Sequence, residues 1–398
     1  MSKKNNIVVF ISASIFISAA AFTIIHTNIK DNTAKDEEMA LEQFRALPYL
    51  SYAEEKADKT KKGVVFYDKE KAFEGYNLCS GILMDMEGNT VHDSELLREV
   101  ILDNGYIIKG DYRGMGKYRW DLTPIWERKD LKIHHDITLT PDDTILTIAK
   151  EVYEYNGRKV EFDIIVELDQ NGDELARWSA WENLEYIKQF HNPILLDKTG
   201  GKIERIFLEK HSEFGGDYDY HHLNSIQALP ENPLAEDKRF QKGNWLISLR
   251  NLSLVLILDK DTKKVAWSLG PEEVEWQHMP RMLSSGNILI FDNGKSKRRY
   301  SRVIELNPAT KEIVWEYRAD PPESFLCISK GSAQRLPNGN TLIADSQNGR
   351  AFEVTKEKEI VWEWYNPRFD KEGKRETIGR IIRYPRDMID KILKENKN

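Results

Sequence analysis

Short apolar runs separated by polar turns dominate the chain from Val64 onward, and this pattern predicts β-strands rather than helices. One unit recurs: a strand, a turn rich in Gly, Asp or Asn, and a second strand with an aromatic residue near its end. The turn residues Asp259, Asn307 and Thr355 lie 48 residues apart. The six copies are LMDMEGNTVHD (83–93), YRWDLTPIWER (118–128), VELDQNGDELARWS (166–179), LILDKDTKKVAWSLG (256–270), VIELNPATKEIVWEY (303–317) and FEVTKEKEIVWEW (352–364).

A second turn unit interleaves with the first, as in TPDDTILTI (140–148), LSSGNILIF (283–291) and LPNGNTLIA (336–344). Four short strands in a period of about 48 residues are typical of a propeller blade. The sequence therefore predicts an all-β, six-bladed β-propeller. A seventh blade would have to lie in the longer interval between Asp169 and Asp259. The recurring tryptophans are expected to pack between blades; they are Trp126, Trp178, Trp267, Trp315 and Trp362.

The N-terminus carries an uncharged apolar run over residues 7–25, preceded by Lys3 and Lys4. Nineteen helical residues span about 28 Å, close to the thickness of a bilayer core. We interpret the run as an uncleaved membrane anchor in preference to a cleaved signal. Positive charge before it predicts a cytoplasmic tail and a body in the periplasm or outside the cell. The predicted organisation is an anchor (1–30), a short helical stalk (31–63) and the propeller (64–398).

Composition and net charge bear on the possible partners, on disulfides and on metal sites. The net charge is −7 and the isoelectric point about 5.8, which argues against nucleic acid as a partner. The two cysteines, Cys79 and Cys327, fit an exported protein that does not depend on disulfides, and whether they pair is left open. No Cys/His cluster has the spacing of a zinc site.

Three of the nine histidines stand just before predicted innermost strands. His135 and His278 each lie five positions before the interleaved turn unit of their blade, and His222 lies two positions further back in its own. A closed ring would direct all three toward the central channel, and Arg250 follows an inner strand in the His222 blade. Such histidines are often core or capping residues, but equivalent positions in separate blades favour a shared site.

Two kinds of site remain open for this set: a three-histidine metal centre and a cationic pocket for an anion. Arg250 favours the anion, because a permanent cation beside a metal ion is unfavourable whereas Arg commonly pairs with oxyanions. We therefore predict no metal and no cofactor. Fixed positive donors suit transfer of a tetrahedral oxyanion, and a neutral imidazole can hold such a group covalently.

These segments resemble the arylsulfotransferase (aryl-sulfate sulfotransferase) family. The resemblance rests on HHDI (134–137), YHHLNSI (220–226), SLRNLS (248–253), WQHMPRMLSSGNILIFDNG (276–294), SRVIEL (301–306) and QRLPNGNTLI (334–343). It implies an exported six-bladed propeller that transfers a sulfuryl group from a phenolic sulfate ester to a phenol, without a nucleotide sulfate. By the same resemblance His278 is the nucleophile, His222 and Arg250 bind the oxyanion, and one of His134 and His135 is the remaining pocket histidine; the repeat frame favours His135.

Two other classes stay open from the sequence. The tryptophan-containing turn unit is similar to repeats of quinone-cofactor dehydrogenases, although acidic calcium ligands and eight blades are not evident. A membrane-tethered binding propeller without enzymatic activity is the second alternative. The expected partners are a small aryl sulfate, a phenol and the membrane through residues 7–25; a homodimer is left open.

Overall fold

The computed structural model describes residues 52–56, 58–94, 99–191, 194–196, 202–204, 214–294 and 298–396. These residues form six blade sheets, each built on a four-stranded antiparallel meander, and two separate two-stranded sheets. Inner strands of neighbouring blades contact one another, as they do around the central channel of a propeller. The predicted six-bladed all-β propeller is confirmed.

The first half of the ring contains three blades. The chain enters through β1 (Tyr52–Lys56) and β2 (Gly63–Tyr67). Blade 1 receives β3 (Gly75–Cys79), β4 (Ile82–Met84) and β5 (Thr90–Asp93). Blade 2 consists of β6 (Glu99–Ile101), β7 (Ile107–Asp111), β8 (Gly114–Tyr118) and β9 (Pro124–Arg128). Blade 3 consists of β10 (Ile133–Leu139), β11 (Ile145–Tyr155), β12 (Arg158–Leu168) and β13 (Glu174–Ser179).

The second half begins after a connection that holds helix α1 (Leu184–Ile187), β14 (Ile194–Leu196), β15 (Lys202–Glu204) and β16 (Tyr218–Asp219). Blade 4 consists of β17 (Leu223–Ala228), β18 (Trp245–Leu249), β19 (Leu254–Leu258) and β20 (Val265–Leu269). Blade 5 consists of β21 (His278–Met282), β22 (Ile288–Asp292), β23 (Arg302–Leu306) and β24 (Ile313–Tyr317). Blade 6 consists of β25 (Ser332–Arg335), β26 (Thr341–Asp345), β27 (Arg350–Val354) and β28 (Ile360–Tyr365). The chain ends with β29 (Lys374–Glu376), β30 (Ile381–Pro385) and helix α2 (Arg386–Glu395). Short 3₁₀ turns are Lys238–Phe240, Arg250–Leu252, Pro322–Ser324 and Ser346–Asn348.

The apolar core is divided among the interfaces between adjacent blades. One cluster, for example, joins Ile148 and Ile165 of blade 3 to Ile247 and Leu256 of blade 4. Most of the recurring tryptophans connect blades through the same contact. The indole N–H donates to a backbone carbonyl in the turn between the third and fourth strands of the next blade. The pairs are Trp126 with Gln170, Trp267 with Pro308, Trp315 with Lys356 and Trp362 with Met86, at 2.8–3.0 Å. This contact explains why the turn and the tryptophan recur together in the sequence.

The ring closes by pairing the two ends of the propeller. β30 supplies the inner strand of blade 1 and pairs with β3. Its fully buried Arg383 donates to Asn77 of β3 at 2.7 Å and forms an ion pair with Glu353 of blade 6. A buried charge that loses its partner costs several kcal/mol, so this pair ties blades 1 and 6 together.

The structure differs from the sequence prediction near the N-terminus. Tyr52–Lys56, placed in the helical stalk, is a strand that pairs with β29, and β2 adds a fifth strand to blade 6. The predicted anchor, residues 7–25, lies outside the described residues. Among the residues the structure does describe, no helix is long and apolar enough to cross a membrane. Cys79 and Cys327 are both buried free thiols.

Candidate functional site

The three predicted histidines lie where the inner strands of blades 3, 4 and 5 begin, whereas Arg250 follows β18, the second strand of blade 4, and not the inner strand as the sequence predicted. His135 is the third residue of β10, His222 directly precedes β17, and His278 is the first residue of β21. Inner strands β10, β17 and β21 contact one another in that order. The three histidines therefore stand near one end of the channel, on consecutive blades.

Backbone geometry at these positions is irregular. His135 has φ +64° and His222 has φ +52°, and the neighbours of His278, Trp276 and Met279, have φ +59° and +49°. All three inner strands also change register beside their histidine. The left-handed region costs a residue with a side chain about 1 kcal/mol, and such strain tends to persist where function requires it. At these positions the side chains therefore do not follow the regular alternation between the two faces of a strand.

His135 and His222 meet directly. Their Nε2 atoms are 3.2 Å apart and the two rings contact edge to face. The other nitrogen of His222, Nδ1, lies 2.6 Å from a carboxylate oxygen of Asp219. Burial outweighs this carboxylate and lowers the pKa of His222 to about 3. His222 is therefore a neutral imidazole.

Arg250 contacts the two chain segments that carry His222 and His278. It begins a 3₁₀ turn, and its backbone N–H donates to the carbonyl of His222 at 3.2 Å. Its guanidinium stacks on the indole of Trp276, 3.9 Å from the ring centroid. The same cation contributes to lowering the pKa of His222 and of His278. Arg250 thus supplies the positive charge that the two neutral histidines do not.

The tautomer of His278 is fixed by its surroundings. Its Nδ1 faces two acceptors, the carbonyl of Trp276 at 3.0 Å and Asn293 Oδ1 at 2.8 Å. The amide of Asn293 cannot flip without loss, because its Nδ2 donates to the carbonyls of Cys327 and Lys330 at 2.5 and 2.6 Å. Nδ1 must therefore carry the proton, and Nε2 carries the lone pair.

That Nε2 atom is buried and has no hydrogen-bond partner within the described residues. Burial, followed by the Arg250 cation, lowers the pKa of His278 to about 3, and hydrogen bonding offsets this only in part. The lone pair is therefore present across the whole neutral range. A buried polar atom without a partner calls for an explanation, and a nucleophile that awaits its substrate is one.

A second group of charged residues beside the site was missed from the sequence. Asp136 is paired with Arg281 of blade 5 at 2.7 Å and with Arg380, which directly precedes β30. Arg380 also donates to the carbonyl of His135 at 3.2 Å and so helps to hold that residue. Burial would raise the pKa of Asp136, but the two guanidinium groups lower it to about 2. Arg380 directly precedes the inner strand of blade 1, as His222 directly precedes the inner strand of blade 4. The sequence did not reveal this equivalence, because the inner strand of blade 1 comes from the C-terminal part of the chain.

A buried set of charged residues behind the histidines was also missed. It contains Lys150 and Glu161 of the long β11–β12 hairpin, together with Asp163 and Asp219. Parallel pairing of β16 with β12 places Asp219 opposite Glu161. Lys150 contacts Asp219 and lies 3.4 Å from Glu161. Across the described parts of the chain, no group of three or more His, Cys, Asp or Glu is arranged to hold a metal ion.

Fold and site together define a six-bladed β-propeller with a cluster of histidines and an arginine near one end of its channel. The chain belongs to the arylsulfotransferase (ASST) family, whose sequence model matches residues 117–367, more than half of its length. The match begins in blade 2 and ends after blade 6. It includes His135, His222, Arg250 and His278.

Solved structures resemble this chain only in fold. A protein of unknown function from Bacteroides caccae is 16% identical, and the match covers 78% of this chain and 98% of that one with a TM-score of 0.50. A virginiamycin B lyase from Staphylococcus aureus is 11% identical, with 73% and 83% coverage and a TM-score of 0.39. No curated protein matches the chain significantly.

Proposed function

We propose that this protein transfers a sulfuryl group from a phenolic sulfate ester to a phenol through a covalent intermediate on His278, without a nucleotide. The family supports the general class of activity. The observation that carries the mechanism is the buried Nε2 of a neutral His278 beside Arg250, an atom for which the described residues offer no hydrogen-bond partner. A neutral imidazole is a competent nucleophile at sulfur, and an imidazolium is not.

In the donor half-reaction, the lone pair of His278 Nε2 attacks sulfur and forms an N–S bond. The S–O bond to the phenol breaks, and its electron pair leaves on the phenolate oxygen. Arg250 neutralises the sulfuryl oxygens, whose negative charge is spread in a loose transition state. His222 is neutral and its Nε2 faces His135, so it contributes by holding the ring of His135 rather than by donating to the sulfuryl oxygens. The Nδ1–H bonds to Asn293 and Trp276 stabilise the positive charge that develops on the ring.

In the acceptor half-reaction, a phenol oxygen attacks the same sulfur. The N–S bond breaks and its electrons return to Nε2, which restores the neutral ring. The phenol must lose a proton on the way, and His135, the more accessible of the two facing histidines, is the group placed to receive it. Each turnover returns the protein to its starting state, so no cofactor is consumed.

A chromogenic donor tests this function. Purified protein mixed with 4-nitrophenyl sulfate alone should release about one nitrophenolate per site and then stop, because the sulfated histidine awaits an acceptor. Adding phenol should convert the burst into steady turnover and should form phenyl sulfate. If neither a burst nor phenol-dependent turnover is found with a range of aryl sulfates, the proposed function is wrong.

We also propose that residues 7–25 anchor the propeller to a membrane, with the propeller on the extracytoplasmic side. The support is the uncharged run and the two lysines that precede it. Protease added to intact spheroplasts should digest the propeller in its tethered form. Protection that persists until the cells are lysed would show the opposite orientation.

A further inference from the structure

A continuous series of contacts connects the site to a buried carboxyl group. Asp163 Oδ1 lies 2.8 Å from His134 Nε2, and His134 Nδ1 lies 2.6 Å from His135 Nδ1. His135 Nε2 lies 3.2 Å from His222 Nε2, and His222 Nδ1 lies 2.6 Å from Asp219 Oδ2. Both ring nitrogens of all three histidines take part. We refer to these five residues as the histidine chain.

Counting protons fixes the direction of every bond in the histidine chain. Each contact needs one hydrogen, and a neutral imidazole carries only one. Lys150 contacts the Asp219 oxygen that faces His222, and it keeps this carboxyl ionised. His222 must then carry its proton on Nδ1, which leaves its Nε2 as an acceptor.

The remaining protons follow from that end. His135 must donate from Nε2 to His222, so its Nδ1 accepts from His134 Nδ1–H. The contact between His134 Nε2 and Asp163 then needs one further proton, and burial, which raises the pKa of Asp163, favours an O–H on this carboxyl over an imidazolium at His134. The resting protein therefore holds Asp163 as a neutral carboxylic acid.

The surroundings of Asp163 agree with this assignment. The group is fully buried on β12, faces Lys150 of β11 and the carboxylates of Asp219 and Glu161, and accepts the backbone N–H of Leu223 at 3.0 Å. Burial is the largest influence, and with the two carboxylates it outweighs Lys150 and raises the pKa of Asp163 to about 8. Asp163 is thus protonated near neutral pH, and its pKa is close enough to neutrality for the proton to be transferred.

We propose that Asp163 and His134 form a proton relay that protonates the leaving donor phenolate through His135 and recovers the proton from the acceptor phenol. This inference rests on the proposed function. Asp163 and His134 act through His135 and are positioning residues, whereas His135 touches the reacting oxygen. The contact between His135 and His222 is the longest in the histidine chain, so its proton is the least tightly held.

The proton movements balance over a turnover. As the S–O bond breaks, the Nε2 proton of His135 passes to the phenolate oxygen. The Nδ1 proton of His134 moves to His135, the proton of Asp163 moves to His134, and Asp163 becomes a carboxylate. The lone pair now on His135 Nε2 takes the proton of the acceptor phenol as its oxygen bonds to sulfur. The same steps in reverse return the proton to Asp163.

Asp163→Asn tests the relay with little change in shape. The amide can donate to His134 and accept from Leu223, as the neutral acid does, but it cannot release a proton. Single-turnover release of phenol from phenyl sulfate should fall about 10²-fold, because an ordinary phenolate leaves poorly without an acid. Release of nitrophenolate from 4-nitrophenyl sulfate should stay within about twofold, since this more acidic phenol needs no proton to leave. His134→Gln, which interrupts the histidine chain between Asp163 and His135, should show the same donor dependence.

Asp345→Asn is the matched control, because Asp345 is another buried carboxyl with a raised pKa and lies on β26 outside the histidine chain. Asp345→Asn should leave the rates of phenol and nitrophenolate release unchanged. Equal losses on both donors in Asp163→Asn would indicate a structural role and overturn the relay, as would no loss on either. If wild-type protein is not sulfated on His278 by any donor, the proposed function itself fails and the relay fails with it.

Infrared spectroscopy provides a readout that needs no substrate. Wild-type protein near neutral pH should show the band of a protonated carboxyl group that disappears in Asp163→Asn. The same band should remain in Asp345→Asn. An unchanged carboxyl band in Asp163→Asn would contradict the proton count even if the enzyme is active.

Discussion

His278→Ala is expected to abolish sulfuryl transfer, with a loss on the order of 10⁶ in kcat if it resembles other enzymes that lose a covalent nucleophile. The reason is specific to one atom. His278 Nε2 combines a fixed lone pair with burial beside the Arg250 cation, and alanine offers no group that could form the N–S bond. The rate of nitrophenolate release with saturating phenol is the measurement.

His92→Ala provides the control for that experiment. His92 lies on β5 of blade 1, where it stacks on Trp120 and contacts its carbonyl, outside the site. Its replacement should leave kcat within about twofold, as substitutions away from a site usually do. Undiminished turnover in His278→Ala would remove the nucleophile from the account.

The same nucleophile predicts a particular pH profile. Burial and Arg250 hold the pKa of His278 at about 3, so acid must reach that range before the ring is protonated. Sulfation by 4-nitrophenyl sulfate should therefore stay level from about pH 7 to pH 5, where an ordinary imidazole would lose roughly 30-fold of its neutral form. A steep fall over that interval would mean that the reacting group has an unperturbed pKa.

Arg250→Ala is expected to reduce kcat by about 10²–10³ and to leave a trace of activity, because it removes one preorganised donor to the sulfuryl oxygens. It should also have a second effect. Loss of the cation removes an influence that lowers the pKa of His278, so the acid limb of the pH profile should move to higher pH. Arg250→Lys should recover part of the rate, since it keeps the charge without the planar fork.

Arg335→Ala is the matched control for Arg250→Ala. Arg335 is also a half-buried arginine that stacks on a tryptophan, Trp315 at 4.7 Å. It ends the inner strand β25 of blade 6, and its partner is Glu305 on the neighbouring blade. This control separates loss of packing on an indole from loss of charge in the site. A similar fall in both variants would argue that Arg250 is structural.

The propeller itself was readable from the sequence because its repeats have a physical cause. The tryptophan of one blade needs the turn carbonyl of the next, so turn and tryptophan are kept at a fixed spacing, as with Trp267 and Pro308. The inner strand of blade 1 could not be identified in this way. This strand, β30, lies near the C-terminus, far along the chain from β3, and no spacing connects the two.

The site was predictable only in part. His135 and His278 share a frame, since each lies four residues before the end of its inner strand, and this frame is visible as a spacing. Of the neighbours His134 and His135, the sequence frame favoured only His135, because neighbours in a regular strand point to opposite faces. Because His135 has a positive φ, its side chain does not point away from that of His134, and the two rings are in contact. Asp163 and Asp219 reach His134 and His222 from other strands, a proximity that no local pattern records.

The most direct test of the account is mass spectrometry of the protein after incubation with an aryl sulfate and no acceptor. We expect one added sulfuryl group on the peptide that contains His278, its loss when phenol is added, and no label in His278→Ala. A label on another residue, or phenol-dependent transfer with no covalent label at any time point, would contradict it.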